Sequence, residues 1–142
     1  MPGPVLGLDY GGRRIGLAVS DAEGAIAFPV GALQRKGLGR DLAALGELIR
    51  ERGVVAIVVG LPLQLDGRAG AGAEAARAFA EALRGATGLP VELVDERYTT
   101  ALAERVLAEA PRRARRSKEK VDALAATLIL RSYLERPGGA PS

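Results

Sequence analysis

The sequence predicts an α/β domain built on a five-stranded mixed sheet, and two patterns along the chain lead to this prediction. Three strand-like apolar segments follow one another near the start with only short turns between them, which is typical of antiparallel hairpins. Further along, two apolar segments alternate with segments of helical periodicity, which is typical of parallel β-α-β units. We therefore expect three antiparallel strands, two parallel strands and flanking helices.

The first half of the chain is expected to form three strands and one helix. Strands are predicted at residues 4–10, 15–20 and 25–33, and a glycine-rich turn at residues 11–14 joins the first two. A helix is predicted at residues 40–52, because leucine and isoleucine recur there at helical spacing. Gly53 follows at the position where a helix end favours positive φ.

The second half is expected to alternate strands and helices. The β-branched run at residues 54–59 is typical of a strand covered on both faces. A helix at residues 71–87, closed by Gly88, precedes a short strand at residues 91–94. Thr99 or Thr100 begins a helix that runs to about Ala110, before Pro111, and a last helix spans residues 121–134. We expect one domain over residues 1–136 and a flexible tail over residues 137–142.

The composition excludes several kinds of chemistry. The chain has 142 residues, 48% of them hydrophobic, a formal net charge of +3 and neither cysteine nor histidine. Thiolate metal sites, disulfides, cysteine nucleophiles and catalytic triads with histidine are therefore excluded. Catalysis would have to use carboxylates, lysine, tyrosine or a metal. Since no apolar run is long enough for a membrane span and no signal-peptide pattern is present, we expect a cytoplasmic protein without a membrane partner.

Four carboxylates lie where a strand or a helix meets a loop. Asp9 ends the first strand, Asp95 and Glu96 end the last, and Asp122 opens the final helix. If strands one and five are parallel neighbours, Asp9 meets Asp95 or Glu96 beyond the carboxyl ends of the strands. Asp122 joins them if the last helix packs across that end. Such a cluster needs cations to neutralise it, and hard carboxylate oxygens suit Mg²⁺ or Mn²⁺. Divalent cations held in this way support hydrolysis of phosphodiester bonds without histidine.

Each of these acids also has a structural interpretation. Asp9 would stabilise the following turn, and Asp122 would interact with the positive end of a helix dipole. The carboxylates of Asp95 and Glu96 are expected on opposite sides of the strand, because side chains alternate. Glu96 is slightly favoured as the metal ligand because its side chain is longer, but the sequence does not decide between Asp95 and Glu96.

Basic residues near these acids are expected to contact the phosphates of a nucleic acid. A dense run between Pro111 and Val121 directly precedes Asp122, and two arginines follow the first strand. Tyr98 is the aromatic residue placed to stack on a base. The predicted substrate-binding residues are Arg13, Arg14, Arg97, Tyr98, Arg112, Arg113, Arg115, Arg116, Lys118 and Lys120.

Four motifs in register resemble the YqgF (RuvX-like) family over nearly the whole chain. They are VLGLDYG at residues 5–11, VGLPL at 59–63, DERYTT at 95–100 and KVDALAA at 120–126. The resemblance implies a ribonuclease H-like fold related to RuvC-type resolvases. It implies Asp9, Glu96, with or without Asp95, and Asp122 as metal-binding catalytic acids. It also implies a nuclease that resolves Holliday junctions or trims the precursor of small-subunit ribosomal RNA.

Several functions remain open at this stage. A nuclease processing the 5′ end of pre-16S ribosomal RNA is the leading hypothesis, with nucleic acid and the small ribosomal subunit as partners. A junction resolvase needs a two-fold dimer to cut two strands symmetrically, whereas the RNA nuclease can be a monomer or a homodimer. A non-catalytic ribosome-assembly factor would need only the basic surface. An ATPase of the sugar-kinase or actin type is disfavoured, because such enzymes close two domains over ATP.

Overall fold

The computed structural model describes residues 3–62, 70–95 and 118–135, and within them five strands form one mixed sheet. The strands are β1 (Val5–Tyr10), β2 (Arg14–Ser20), β3 (Ala27–Gln34), β4 (Ala56–Leu61) and β5 (Val91–Asp95). The helices are α1 (Leu38–Arg52), α2 (Ala71–Thr87) and α3 (Lys118–Glu135). The predicted helix before Pro111 and the predicted tail lie outside the described residues.

The sheet has the order β3-β2-β1-β4-β5. The pairs β1–β2 and β2–β3 are antiparallel, whereas β4 is parallel to both β1 and β5. The predicted combination of three antiparallel and two parallel strands is therefore confirmed. Strands β1 and β5 are parallel but are not neighbours, since β4 lies between them. We expected Asp9 to meet Asp95 or Glu96 if strands one and five were neighbours. Because β4 lies between them, any contact between these acids has to reach across β4.

Helices cover both faces of the sheet. One face packs against α1 and α2 through a core that includes Leu6, Leu8, Leu45 and Phe79. The other face packs against α3 through a smaller core that includes Val5, Val58, Ala126, Ile129 and Leu130. Successive residues of each strand contribute to opposite faces, as pleating requires. No helix in the described parts of the chain has the length and apolar character needed to cross a membrane.

The predicted bounds of two strands are corrected, whereas the predicted ends of two helices are confirmed. Strand β3 begins at Ala27, because the N–H groups of Ala25 and Ile26 donate to the Asp21 carboxylate and form a turn instead. Strand β4 is shifted towards its carboxyl end, since its pairing with β1 begins only at Ala56 and its pairing with β5 continues to Leu61. Gly53 and Gly88 end α1 and α2 in the left-handed conformation, at φ 66° and 70°, as expected.

Helix α3 differs most from its prediction. It begins at Lys118, so Lys118 and Lys120 lie in its first turn and not in a loop, and Asp122 is its fifth residue. Its sequence pattern predicts a core face of Val121, Leu124, Leu128 and Ile129, but only Ile129 is buried and the other three residues are partly buried. The helix instead buries the side that carries its alanines, because it lies close against Gly7 of β1 and Gly16 of β2. The buried positions are Ala123, Ala125, Ala126, Thr127, Ile129, Leu130 and Tyr133.

Asp41 connects the start of α1 to the chain before it. Its side chain is only 3% exposed, and its carboxylate accepts a hydrogen bond of 2.9 Å from the Lys36 N–H. We expect Asp41→Ala to lower the free energy of unfolding by about 2 kcal/mol, because a part-buried hydrogen bond to a charged acceptor is lost. Urea unfolding measures this, with exposed Glu47→Ala as a control expected within about 0.5 kcal/mol of the unmodified protein. Equal losses in both variants would contradict the assigned role.

Candidate active site

Asp9 lies at the carboxyl end of β1 on the side of the sheet that faces α3. The strand alternation places it with Val5 and Gly7, whose neighbours are residues of α3. In the antiparallel pair with β2, Asp9 is directly opposite Gly16. The side chain is partly buried, so the carboxylate lies at the border between core and solvent.

Asp122 is brought to the same place by the packing of α3 on β2. A Cβ atom added to Gly16 would overlap the Asp122 carbonyl oxygen, so this helix turn lies directly on the glycine. Directly opposed residues of an antiparallel pair have Cα atoms roughly 4.5–5.5 Å apart. Asp9 and Asp122 therefore lie on one side of the sheet, next to a common glycine. This juxtaposition, predicted from the sequence only as a possibility, joins two of the four acids.

Arg14 holds the carboxylate of Asp122. Its Nε donates to Asp122 Oδ2 at 2.5 Å, and both side chains are 22% exposed. Arg14 begins β2 and lies on the α3 side, two residues before Gly16. The ion pair therefore ties the sheet to α3 across 108 residues of sequence.

A depression of about 440 Å³ opens beside this ion pair. The β1–β2 turn forms one wall and the first turns of α3 form the other, and its lining residues are Gly12, Arg13, Arg14, Lys118, Val121 and Asp122. Three of the predicted substrate-binding cations thus surround one acid. A volume of this size and charge suits a phosphate group of a nucleic acid. Lys120 instead lines a separate groove beside β3, so the two described lysines of the basic run diverge.

Arg35 is a residue of the site region that the sequence analysis missed. Its Nη1 donates to the carbonyl oxygens of Gly11 and Gly12 at 2.9 and 3.0 Å, and its guanidinium lies 4.4 Å from the centre of the Tyr10 ring. Tyr10 in turn stacks on Phe79 with ring centres 4.2 Å apart. Arg35 thereby fixes the turn that follows Asp9. A basic residue just after a strand carries no sequence signal for such a contact.

We expect Arg35→Ala to loosen this turn. Loss of the two hydrogen bonds and of the exposed cation–π contact should lower the free energy of unfolding by about 1 kcal/mol. Hydrogen exchange of the peptide that contains Gly11 and Gly12 should become faster. Arg35→Lys keeps the charge but not the fork of donors, so it should show an intermediate change. Unchanged exchange in Arg35→Ala would show that the turn is held by other contacts.

Asp95 lies apart from the pair formed by Asp9 and Asp122. Two strand spacings separate β1 from β5, which amounts to about 10 Å. Val91 and Leu93 pack in the core on the α1 and α2 side, and Val94 packs on the α3 side. By the same alternation Asp95 belongs to the side opposite Asp9. The other predicted site residues, Glu96, Arg97, Tyr98, Arg112, Arg113, Arg115 and Arg116, lie outside the described residues.

The donor chemistry of the site suits a hard divalent cation. Asp9 and Asp122 supply carboxylate oxygens, which Mg²⁺ and Mn²⁺ prefer. Within residues 3–62, 70–95 and 118–135, no group of three or more acidic, histidine or cysteine residues is placed to hold a metal ion. Among the described residues, only the carboxylates of Asp9 and Asp122 are therefore available as ligands at this place.

Known proteins match this chain over nearly its whole length. The family model described as "RuvX: Holliday junction resolvase" matches residues 3–136. A protein of Moorella thermoacetica named "Putative pre-16S rRNA nuclease" is 48% identical over 134 residues, which cover 94% of this chain and 96% of that protein. A relative of the same name from Symbiobacterium thermophilum is 45% identical over 135 residues, which cover 95% and 94% of the two chains.

Solved structures confirm the predicted ribonuclease H-like fold. RuvC of Thermus thermophilus in complex with a Holliday junction substrate superposes with a TM-score of 0.61 at 21% identity, covering 96% of this chain and 97% of RuvC. The large terminase nuclease of the thermophilic phage G20c gives a TM-score of 0.53 at 13% identity, covering 87% and 80% of the two chains. At these identities the likeness concerns the fold alone.

Proposed function

The chain belongs to the RuvX family, a family of nucleases, and on this premise we propose that it hydrolyses phosphodiester bonds at the 5′ end of pre-16S ribosomal RNA with the help of Mg²⁺ or Mn²⁺. The observation that carries this proposal is the placement of Asp9 and Asp122 on one side of the sheet, beside a depression lined by Arg13, Arg14 and Lys118. The names of the relatives support the choice of ribosomal RNA as substrate.

The metal ligands in this proposal are Asp9, Asp122 and Glu96. Asp9 and Asp122 are partly buried neighbours, and two carboxylates so close repel each other unless a cation lies between them. Asp95 is assigned to the opposite side of the sheet, which supports Glu96 as the third ligand and leaves Asp95 a supporting role. A bound divalent cation would orient and activate the attacking water and stabilise the charge on the leaving oxygen.

The cationic residues have a separate task in this proposal. Arg13, Arg14 and Lys118 bind the phosphates that flank the bond to be cleaved, and Arg35 keeps the β1–β2 turn in position for this contact. The predicted partners Arg97, Tyr98, Arg112, Arg113, Arg115, Arg116 and Lys120 extend this basic surface. Such contacts position the backbone of a nucleic acid without reading its sequence.

Cleavage of branched DNA is the second candidate function. The description of the family model and the Holliday junction bound to the structurally similar RuvC favour it. A resolvase must make paired cuts and therefore needs two sites related by a two-fold axis. The RNA-processing function has no such requirement, so the protein can act on RNA as a monomer or a homodimer. The RNA-processing function also implies that the protein acts in the cytoplasm, beside the assembling small ribosomal subunit.

A single set of incubations distinguishes these functions. Purified protein is incubated with Mg²⁺ or Mn²⁺ and either a labelled pre-16S RNA fragment or a four-way DNA junction, and the products are mapped. Cleavage of the RNA alone, lost in an Asp9→Asn/Asp122→Asn variant, is the expected result. Paired symmetric nicks in the junction alone would favour the resolvase. Tight RNA binding without cleavage of either substrate would instead indicate an assembly factor and overturn the proposal.

A further inference from the structure

The ion pair between Arg14 and Asp122 occupies a carboxylate that the proposed function assigns to the metal. The guanidinium lies 2.5 Å from Asp122 Oδ2, closer than the usual charge-assisted hydrogen bond, and most of both side chains is removed from water. Arginine remains protonated at all accessible pH values. A permanent positive charge therefore lies against a metal-binding acid.

This arrangement opposes the binding of a cation. Two positive charges that share one carboxylate repel each other, and the repulsion is strong where the side chains are partly buried. In the absence of metal, however, the partly buried carboxylate of Asp122 needs a positive charge close by. Arg14 supplies that charge. The same contact that stabilises the metal-free protein thus competes with the metal.

Arg14 also borders the depression beside the ion pair. It lines the depression together with Arg13 and Lys118, where a phosphate of the substrate is proposed to bind. The donors of a guanidinium match a phosphate as well as they match a carboxylate. A phosphate in the depression therefore offers Arg14 an alternative to Asp122.

We propose that Arg14 is a placeholder cation that exchanges partners. It binds Asp122 in the metal-free protein and binds a substrate phosphate once a divalent cation takes Asp122. Metal and nucleic acid consequently favour each other's binding, because each releases a group that the other needs. This inference rests on the proposed function, since it requires Asp122 to be a metal ligand.

Metal affinity tests the first half of the exchange. Binding of Mn²⁺ to the protein without nucleic acid is followed by loss of the free-ion electron paramagnetic resonance signal. Arg14→Gln should bind Mn²⁺ about three- to tenfold more tightly than the unmodified protein, because the competing charge is gone. Arg13→Gln removes the same charge from the same turn without touching Asp122, so its Mn²⁺ affinity should change much less. Weaker binding by Arg14→Gln would overturn the proposal.

RNA affinity in EDTA tests the second half, where neither metal nor cleavage interferes. Fluorescence anisotropy with the pre-16S fragment should show about three- to tenfold tighter binding by Asp122→Asn, because Arg14 is released towards the phosphate. The double variant Asp122→Asn/Arg14→Gln should lose this gain, which makes the two substitutions non-additive. Full additivity would mean that Arg14 does not exchange partners. Thermal unfolding in EDTA verifies that each variant is folded.

The two proposals fail in different ways. Mn²⁺ binding that disappears in Asp9→Asn, together with unchanged affinities in Arg14→Gln, would overturn the exchange and leave the metal-dependent nuclease intact. Absence of Mn²⁺ binding in both the unmodified protein and Arg14→Gln would overturn the metal site itself.

Discussion

Asp9→Asn is expected to abolish cleavage of the nucleic acid substrate, with a loss of about 10³-fold or more in rate. The substitution removes one negative charge from the proposed metal ligands and preserves the size of the side chain. Because Asp9 is partly buried at the end of β1 and its neighbours in the strand keep their packing, the fold should remain intact. Single-turnover cleavage at saturating protein, together with the melting temperature, measures both effects.

Asp95→Asn is the matched control for this prediction. It changes the same functional group at the same end of the sheet, but Asp95 belongs to the face opposite Asp9 and lies two strands away. We expect Asp95→Asn to keep a cleavage rate within about tenfold of that of the unmodified protein, because a residue that only supports the metal ligands affects the rate less than a ligand does. Equal losses in the two variants would place both acids at the metal and contradict the assignment by strand alternation.

Gly16→Ala is expected to lower the free energy of unfolding by about 3 kcal/mol, since overpacking between rigid backbones is costly. The added Cβ would overlap the Asp122 carbonyl oxygen, which belongs to a helix backbone and cannot rotate away. Relief requires α3 to move off the sheet, and Asp122 would move with it. Cleavage should therefore fall as well, even at temperatures where the variant is folded. Urea unfolding and cleavage assays measure the two effects.

Gly12→Ala controls for the loss of a glycine near the site. A Cβ on Gly12 would meet no atom within 4 Å, and its φ is not positive. The free energy of unfolding should therefore stay within about 0.5 kcal/mol of the unmodified value. A small effect of Gly16→Ala, comparable to that of Gly12→Ala, would mean that α3 packs less closely on β2 than the structure indicates.

Periodicity predicted all eight described elements, but not their order in the sheet. Hydrophobic patterns report how a segment is buried, and the β-branched run of β4 correctly indicated a strand covered on both faces. They do not report which strands pair. The insertion of β4 between β1 and β5 depends on how the β-α-β connections lie in space, and it separates Asp95 from Asp9 by an additional strand.

The residue types of the candidate site could be predicted from the sequence, whereas the contacts between its residues were harder to predict. Asp9 and Asp122 could be selected because acids at the ends of elements are costly without partners. The pairing of Asp122 with Arg14 joins residues 108 positions apart and depends on the close approach of α3 to Gly16. No local pattern encodes such an approach. The role of Arg35 depends likewise on the path of the chain after β3.

The edge strand β3 restricts how two copies of this chain can associate. Pro29 within it has no N–H to offer, and the register with β2 shifts between Leu17 and Ala18. Both features interrupt the row of backbone groups that strand addition by another molecule would need. A continuous sheet running through two subunits across β3 is therefore opposed. Symmetric cutting of a four-way junction would require the copies to meet through another surface, such as the β5 edge, the helices or the loops.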